Sequence, residues 1–287
     1  MQLKVPQDSK KTLNLGGQLL DLSIPRVMGI VNVTPDSFYA GSRVAARTDE
    51  VIQKVGQMLA EGATMLDVGG YSTRPGAVPV GLEEEWERVE PVVEAIRRYF
   101  PEALISVDTF RAEVARWAVE RGAHLINDVS GGTLDEAMLD TVARLKVPYV
   151  LMHMRGTPQT MAQLTHYDHL VPDVMRELRQ KLIQLRQRGV ADVLIDPGFG
   201  FAKTIPQNFE LVRNLAAFQS LGCPLLVGIS RKTTIWRTLG ITPDEALNGT
   251  TVLNTLALQA GASILRVHDV RPAVEAIKLW RATMGVD

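Results

Sequence analysis

The chain has 287 residues, of which 46% are hydrophobic, and its formal net charge is −1. This length suits one large domain or two smaller ones, and the near-neutral charge argues against a broad nucleic-acid surface. The single cysteine, Cys223, excludes an internal disulfide, and its apolar surroundings indicate a buried structural thiol. No signal peptide or long apolar run stands out in the sequence. We therefore expect a cytoplasmic protein that binds neither nucleic acid nor membrane.

The predicted elements begin with a short hairpin, in which residues 13–22 alternate around Gly16-Gly17. Eight apolar runs then predict strands near residues 27–31, 65–68, 104–107, 124–126, 149–152, 193–195, 225–229 and 264–267. Helix-like stretches follow the strands, at residues 50–61, 83–98, 112–121, 135–145, 174–188, 209–219, 249–259 and 272–280.

Eight strands that alternate with helices favour an α/β fold, a single (β/α)8 TIM barrel with a short N-terminal β-hairpin. An open doubly wound sheet is the alternative, although no GxGxxG follows the first strand. No linker rich in Gly, Ser and Pro interrupts the chain. We predict one domain over residues 1–287, with residues 1–25 as an extension that includes the hairpin.

Polar residues follow every predicted barrel strand. In a barrel, chemistry collects at the carboxyl ends of the strands, so these residues should converge at one mouth. In chain order the residues at these strand ends, polar except for Met152, are Asn32 with Asp36, Thr73 with Arg74, Asp108 with Thr109, Asn127 with Asp128, Met152 with His153, Asp196, Lys232 with Thr233, and Arg266 with His268.

The last predicted strand contains residues that are typical of an anion-binding site. Arg266 and His268 fall on one face at period two, and an arginine inside a short parallel strand is costly unless it is paired or hydrated. Arg74 lies on a glycine-rich loop from which it could reach the same anion. Asn32 and Asp36 offer the hard oxygen ligands that Mg²⁺ uses together with substrate phosphates.

A second group suits a planar heterocycle with amino and oxo groups. Asp108, Asn127, Asp196 and Lys232 combine acceptors, an amide and a cationic donor. Each has a plainer explanation, because Asp108 could cap a helix, Asn127 or Asp196 could start a turn, and Lys232 could be solvated. Their coincidence at successive strand ends favours a site.

Two neighbouring residues have plain explanations that we prefer. Met152 is more typical of core packing than of ligand contact. His153 points away from Met152 along the strand and is expected to be structural.

The motifs resemble the dihydropteroate synthase family. The string Gly29-Ile-Val-Asn-Val-Thr-Pro-Asp-Ser-Phe38 is similar to the first family signature, and Gly69-Gly-Tyr-Ser-Thr-Arg-Pro-Gly76 is similar to the second. Further matches follow in the family order, at Asp108-Thr109, residues 127–131, Met152-His153, residues 196–201, residues 230–232 and Arg266-Val-His268. The resemblance runs from about residue 28 to residue 269.

The resemblance implies a transferase of folate biosynthesis that uses Mg²⁺. It would condense 6-hydroxymethyl-7,8-dihydropterin diphosphate with 4-aminobenzoate to give 7,8-dihydropteroate and diphosphate. We expect no covalent nucleophile and a dissociative substitution at the pterin methylene, because the charge of the leaving diphosphate can be stabilised electrostatically. The family also implies a homodimer, with the apolar helices near residues 249–280 as plausible interface surfaces.

The family motifs imply a role for each site residue. The catalytic set is Asn32, Asp36, Arg74, Lys232, Arg266 and His268. The pterin-binding set is Asp108, Asn127, Met152, Asp196, Phe201, Gly228, Lys232 and Arg266. The diphosphate-binding set is Asn32, Thr73, Arg74, Arg266 and His268, with Asn32 as the metal ligand. The aminobenzoate-binding set is Phe38, Thr73, Pro75, Phe201, Lys232 and Thr233.

Three positions depart from the family pattern. Tyr71 stands where glutamate is usual, Tyr39-Ala40-Gly41-Ser42 replaces Ser-Asp-Gly-Gly, and Ala202 replaces glycine. We expect an ordinary negative φ at Ala202, because positive φ values favour glycine. Phe38 and Pro75 match the pattern of sulfonamide-sensitive enzymes, so sensitivity is predicted.

Three other functions remain open at this point. A pterin-dependent methyltransferase shares the barrel and the pterin slot, but it would not need residues 73–75 or the Arg266 and His268 pair. A Schiff-base aldolase could use Lys232 as its amine. A pterin-binding protein that has lost turnover would not require a diphosphate group on its ligand.

Overall fold

A computed structural model of the chain describes residues 11–33, 44–73 and 78–285. Two short strands come first, β1 (Thr12–Leu15) and β2 (Gln18–Asp21). The next eight strands are β3 (Arg26–Asn32), β4 (Met65–Gly69), β5 (Leu104–Asp108), β6 (Leu125–Asp128), β7 (Tyr149–Met152), β8 (Val193–Asp196), β9 (Leu225–Val227) and β10 (Ala262–Val267). β3 to β10 form a closed parallel barrel, because β10 pairs with both β9 and β3. The predicted TIM barrel with an N-terminal hairpin is confirmed.

Helices connect the barrel strands. In the described ranges they are α1 (Val44–Ala60), α2 (Leu82–Tyr99), α3 (Ala112–Glu120), α4 (Met138–Leu145), α5 (Leu170–Gln187), α6 (Ile205–Arg213), α7 (Thr233–Leu239), α8 (Leu247–Gln259) and α9 (Val270–Met284). None of these described helices combines the length and the apolar character that a membrane crossing needs.

The helix predicted over residues 209–219 is wrong in its bounds. α6 begins after Thr204, whose side chain accepts a hydrogen bond from the Gln207 backbone while the Gln207 side chain accepts one from the Thr204 backbone. This capping box fixes the start of the helix four residues earlier than predicted. α6 ends at its C-cap residue, Asn214, and a 3-10 helix follows over Leu215–Leu221.

The hairpin covers the amino-terminal end of the barrel. Gly16 and Gly17 have φ values of 64° and 95°, which the two-residue turn requires. Leu13 and Leu15 are buried against an apolar layer. Each barrel strand contributes one residue to this layer: Met28, Met65, Leu104, Leu125, Val150, Leu194, Leu226 and Ile264. The layer closes one end of the barrel and leaves the opposite end for a site.

Candidate active site

The side chains that point into the barrel become mostly polar one step above this layer. Side chains two residues apart on a strand share a face. The residues two positions after the layer are Ile30, Asp67, Ser106, Asn127, Met152, Asp196, Gly228 and Arg266. A further step of two reaches Asn32, Gly69, Asp108 and His268. The strand geometry therefore brings most of the predicted site residues to one mouth of the barrel.

Asp67 lies at the centre of this polar layer and was missed by the sequence analysis. Its carboxylate accepts hydrogen bonds from Ser106 Oγ at 2.5 Å, Asn127 Nδ2 at 2.8 Å and Arg266 Nε at 2.6 Å. Its side chain is 0% exposed. The argument that singled out Arg266, a charge inside an apolar strand, applies equally to Asp67 between Leu66 and Val68 and could have found it.

Arg266 is the cation that balances the carboxylates of the mouth. While its Nε binds Asp67, its Nη2 donates to Asp108 Oδ2 at 2.7 Å. Burial raises the pKa of Asp108 to about 7, and the nearby Arg266 guanidinium opposes this rise. Asp108 is therefore a partner of Arg266 and not a cap. The amide at the start of α3, that of Ala112, donates instead to Asp135 Oδ2 at 2.7 Å.

Asn127 and Asp196 each have one oxygen that these contacts leave for the mouth. Because the Asn127 amide nitrogen is assigned to Asp67, its Oδ1 is turned away from that carboxylate. Asp196 Oδ1 accepts the Gly198 N–H at 2.7 Å, so the turn interpretation is also correct. Its Oδ2 lies toward Gly228, where an added Cβ would be 3.8 Å from Oδ2 and 3.9 Å from Arg266 Cδ.

Lys232 is half-buried and is not the solvated lysine of the plainer explanation. Its Nζ donates to the Phe199 carbonyl oxygen and lies 4.7 Å from the centre of the Phe201 ring. Burial lowers the pKa of Lys232 to about 8, and Asp196 opposes this fall. The amine therefore faces acceptors on the loop that follows β8.

An apolar wall lies beside the polar layer. Met152 and Phe201 belong to it, together with Val129, Met154, Met161 and Phe110. Met152 is packed in an apolar cluster, as predicted, and this cluster lies at the mouth of the barrel. A planar ligand over the polar layer would have one face against this wall.

His268 and the start of α7 form the opposite side of the mouth. His268 Nδ1 and Ser230 Oγ are 3.1 Å apart, and the His268 backbone N–H donates to the same hydroxyl at 3.2 Å. Burial, followed by Arg266, lowers the pKa of His268 to about 4, so the imidazole is neutral at neutral pH. Thr233 is exposed at the first position of α7. Thr73 is half-exposed and follows β4.

The expectation for Ala202 is wrong, since its φ is +49°. Ala202 lies in the loop of residues 197–204, in which Gly198 and Gly200 also have positive φ values, of 75° and 80°. In this loop the consecutive carbonyls of Gly198 and Phe199 bind different lysines, Lys203 and Lys232. The Ala202 carbonyl accepts a hydrogen bond from the Tyr167 hydroxyl at 3.0 Å.

The other preferred assignments agree with the structure. His153 is buried, with its Nε2 2.9 Å from Glu177 Oε2. Cys223 is buried, and its Sγ lies 3.8 Å from a guanidinium nitrogen of Arg186.

Four predicted site residues lie outside the described residues: Asp36, Phe38, Arg74 and Pro75. Asn32, the expected metal ligand, is half-buried at the end of β3. Within residues 11–33, 44–73 and 78–285, no group of three His, Cys, Asp or Glu side chains could hold a metal ion.

Known proteins resemble this chain in sequence and in fold. A family model described as "Pterin binding enzyme" matches residues 28–268. The dihydropteroate synthase of Escherichia coli K12 is 45% identical over 271 residues, covering 94% of this chain and 95% of that protein. The Synechocystis enzyme of the same name is 43% identical over 262 residues, covering 89% and 90%.

Solved structures give the same result. A Yersinia pestis dihydropteroate synthase in a sulfonamide drug complex has a TM-score of 0.90 and 40% identity, covering 96% of this chain and 100% of that one. The Xanthomonas albilineans enzyme with 4-aminobenzoic acid has a TM-score of 0.90 and 42% identity, covering 97% and 100%. The chain belongs to the dihydropteroate synthase family of pterin binding enzymes.

Proposed function

We propose that the chain is a dihydropteroate synthase that joins 6-hydroxymethyl-7,8-dihydropterin diphosphate to 4-aminobenzoate. The observation that carries this proposal is the polar layer formed by the buried Asp67, Asn127 and Asp196 and the partly buried Arg266 beside an apolar wall. Such a layer suits a flat ring that both donates and accepts hydrogen bonds. The identity to dihydropteroate synthases over nearly the full chain favours this activity over the methyltransferase and aldolase alternatives.

The pterin ring is assigned to the deepest part of the mouth. Asp196 Oδ2 and Asn127 Oδ1 would accept from the amino-pyrimidine edge, while Lys232 would donate to a ring acceptor. Gly228 leaves room for the ring, because any side chain there would stand between Asp196 and Arg266. Met152 and Phe201 would cover one face of the ring, and Asp108 would hold the Arg266 plane toward the other.

The diphosphate is assigned to the rim, where Arg266, His268 and Thr73 would receive it, with Arg74 from the segment outside the described residues. His268 would donate a neutral N–H, because its pKa lies far below 7. Asn32 would hold Mg²⁺ by its amide oxygen. One amide oxygen fits a cation that keeps several waters and binds chiefly to substrate phosphates. When bound, this cation would offset the charge of the leaving diphosphate.

Aminobenzoate is assigned to the outer part of the mouth. Phe201 and Lys232 would border both substrates, and Thr233 would offer the first amide of α7 to the carboxylate. α7 has only 7 residues, so we assign recognition to these local amides and not to a helix dipole. Thr73, Phe38 and Pro75 would complete the site.

Catalysis would rest on electrostatic stabilisation and exclusion of water. No covalent nucleophile is needed. Arg266 would stabilise the departing diphosphate, while the carboxylates of Asp108 and Asp196 would stabilise positive charge that develops on the pterin. Lys232 would hold the ring in place, and Asp36 would act near the diphosphate. The aminobenzoate amine would then attack the pterin methylene.

Two single substitutions test this assignment. Lys232→Ala and Arg266→Ala should each lower dihydropteroate formation by at least about 100-fold, since each removes a charged contact of about 1.5–3 kcal/mol together with the geometry it maintains. Lys278→Ala, an exposed lysine on α9, is the matched control and should keep full turnover. Thermal melts of all three variants report whether the barrel remains folded. Retained turnover in either site variant would contradict the assignment.

We also propose that sulfonamides compete with aminobenzoate in this enzyme, as the drug complex of the Yersinia pestis relative suggests. In steady-state assays, a sulfonamide should raise the apparent KM for aminobenzoate without lowering the maximal rate. Inhibition that excess aminobenzoate fails to reverse would contradict a shared site.

A cytoplasmic homodimer remains our proposal for the form of the protein in the cell. The sequence contains one cysteine, so it does not depend on an internal disulfide, and this is consistent with a reducing compartment. The exposed apolar side chains of Val252 and Leu256 support an interface on α8. The single domain over residues 1–287 is likewise a proposal.

A further inference from the structure

The loop of residues 197–204, here called the β8–α6 loop, contains a buried cation that the proposed reaction does not use. Lys203 is 8% exposed. No carboxylate within residues 11–33, 44–73 and 78–285 forms an ion pair with it. Burial lowers the pKa of Lys203 to about 7, because removing the ammonium group from water disfavours its charged form.

The Lys203 amine is surrounded by backbone oxygens of its own loop. Its Nζ donates to the carbonyls of Gly198 and Phe201, each at 3.0 Å, and lies 2.9 Å from His153 Nδ1. The positive φ values of Gly198, Gly200 and Ala202 allow this convergence. Gly198 permits no other residue, because an added Cβ would lie 2.0 Å from the His153 carbonyl oxygen.

His153 connects this amine to the barrel wall. Its Nε2 faces Glu177 Oε2 at 2.9 Å, and Glu177 also binds the guanidinium of Arg155. With Nδ1 accepting from Lys203, the ring proton belongs on Nε2, where it can donate to Glu177. The position of the Lys203 amine is therefore fixed by His153, which follows β7, and through it by Glu177 on α5.

The opposite side of the same loop faces the pterin slot. The Phe199 carbonyl points to Lys232, and the Phe201 ring lies against the Lys232 ammonium. Two lysines therefore bind the loop. Lys203 donates to the carbonyls of residues 198 and 201, and Lys232 donates to that of residue 199. The two sides are directly coupled, because the Gly198 and Phe199 carbonyls are consecutive in the chain and Phe201 contributes its carbonyl to one side and its ring to the other.

We propose that Lys203 is a positioning residue for the pterin: by binding the carbonyls of Gly198 and Phe201, its amine sets where Phe201 and the Phe199 carbonyl stand in the slot. This inference rests on the proposed function, since the slot is the one assigned there to the pterin ring. Lys203 touches no reacting atom and acts through the loop.

Lys203→Met tests the proposal, because it keeps the length of the side chain and removes the donor. The measurement is calorimetric binding of two separate probes, 6-hydroxymethylpterin and Mg²⁺ with inorganic diphosphate. Pterin binding should weaken by about 10- to 100-fold, the effect expected of a displacement near 1 Å. Diphosphate binding should change less than about 2-fold, because Arg266 and His268 do not belong to the loop. Lys278→Met is the matched control and should leave both affinities unchanged.

Lys203→Arg keeps the test informative if Lys203→Met does not fold. The guanidinium retains donors but cannot reach both carbonyls as the amine does, so pterin binding should weaken by about 3- to 10-fold with unchanged diphosphate binding. Equal loss of both probes, or unchanged pterin binding in both folded variants, would overturn the proposal. Turnover by the wild type is measured alongside. Wild-type turnover with unaltered pterin binding in the variants refutes this inference alone, whereas absence of wild-type turnover refutes the proposed function.

Discussion

The carboxylate of Asp67 organises the mouth of the barrel, although it is not among the residues that the motifs single out. It receives Arg266, Asn127 and Ser106 together and is fully buried. Breaking one partner of such a buried group leaves the others unpaired, which costs more than the net value of one hydrogen bond. The orientation of Arg266 and of the Asn127 amide therefore depends on Asp67.

Asp67→Asn should lower kcat/KM by about 10- to 100-fold, because a charge-assisted contact of about 1.5–3 kcal/mol to Arg266 is lost. The shape of the side chain is nearly conserved, so the barrel should stay folded. Asp173→Asn provides the control, since Asp173 binds the backbone N–H groups of Asp168 and His169 and the guanidinium of Arg176, none of which is a predicted site residue. Steady-state kinetics would contradict this role if both variants kept the wild-type kcat/KM.

Ala202 illustrates a local conflict that the loop tolerates. A non-glycine residue at φ +49° is strained, while the unfolded chain loses less entropy with alanine than with glycine. Ala202→Gly should raise the free energy of unfolding by about 0.5–1 kcal/mol, because relief of the strain outweighs the entropy term. Chemical denaturation measures this change. Ala143→Gly in α4 should instead destabilise the protein, and a destabilised Ala202→Gly would show that the positive φ is not strained.

At the scale of single elements, the hairpin of β1 and β2 acts as the floor of the barrel. Leu13 is 0% exposed inside the apolar layer, whereas Leu19 on the same hairpin is 70% exposed. Substituting each leucine in turn therefore distinguishes the stability that comes from burial from any general effect of changing the hairpin.

Leu13→Ala should lower the free energy of unfolding by about 3 kcal/mol, within the range for a buried leucine that leaves a cavity. Leu19→Ala should change it by less than about 0.5 kcal/mol, because an exposed site loses little. Urea denaturation measures both, and the KM values for the substrates should remain those of the wild type, since the floor lies opposite the mouth. Equal effects of the two substitutions would contradict the packing role of the hairpin.

Much of the fold was predictable because its signals are local. Strand runs, the Gly16-Gly17 turn and the polar strand ends can each be read within a few residues. The observed start of α6 differs from the predicted one because it is set by the reciprocal capping pair of Thr204 and Gln207, which hydrophobic periodicity does not reveal. Asp67 could have been found by counting two residues from the apolar Met65, whereas the φ of Ala202 could not, because the β8–α6 loop as a whole determines it.

The functional roles were predictable only through the family motifs. Composition and periodicity indicate an anion site and a heterocycle site, but no single residue type specifies a pterin. The pairing of Arg266 with Asp67 and Asp108 joins positions 199 and 158 residues apart in the chain, a relation that appears only when the barrel closes.

At the scale of the whole molecule, α8 presents apolar residues on two sides. Leu253 and Ala257 pack into the protein, while Val252 and Leu256, four residues apart, are 52% and 49% exposed. We expect this outer face to pair with a second copy of the chain. Light scattering should give twice the chain mass of 31.6 kDa.

Leu256→Glu should shift the protein to the monomer mass, because it puts a charge into the apolar contact. Ile183→Glu is the matched control, since Ile183 is 48% exposed on α5, outside this face, and the variant should stay dimeric. A wild-type protein of monomer mass would contradict the proposed dimer.

We propose that one mouth of the barrel binds a pterin diphosphate and transfers its pterin methylene group to aminobenzoate. The most direct test of this activity is diphosphate release from 6-hydroxymethyl-7,8-dihydropterin diphosphate by the purified protein with Mg²⁺, measured with and without 4-aminobenzoate. We predict release that requires aminobenzoate and equals the dihydropteroate formed, one for one. Absence of release with both substrates present, or equal release without aminobenzoate, would contradict the claim.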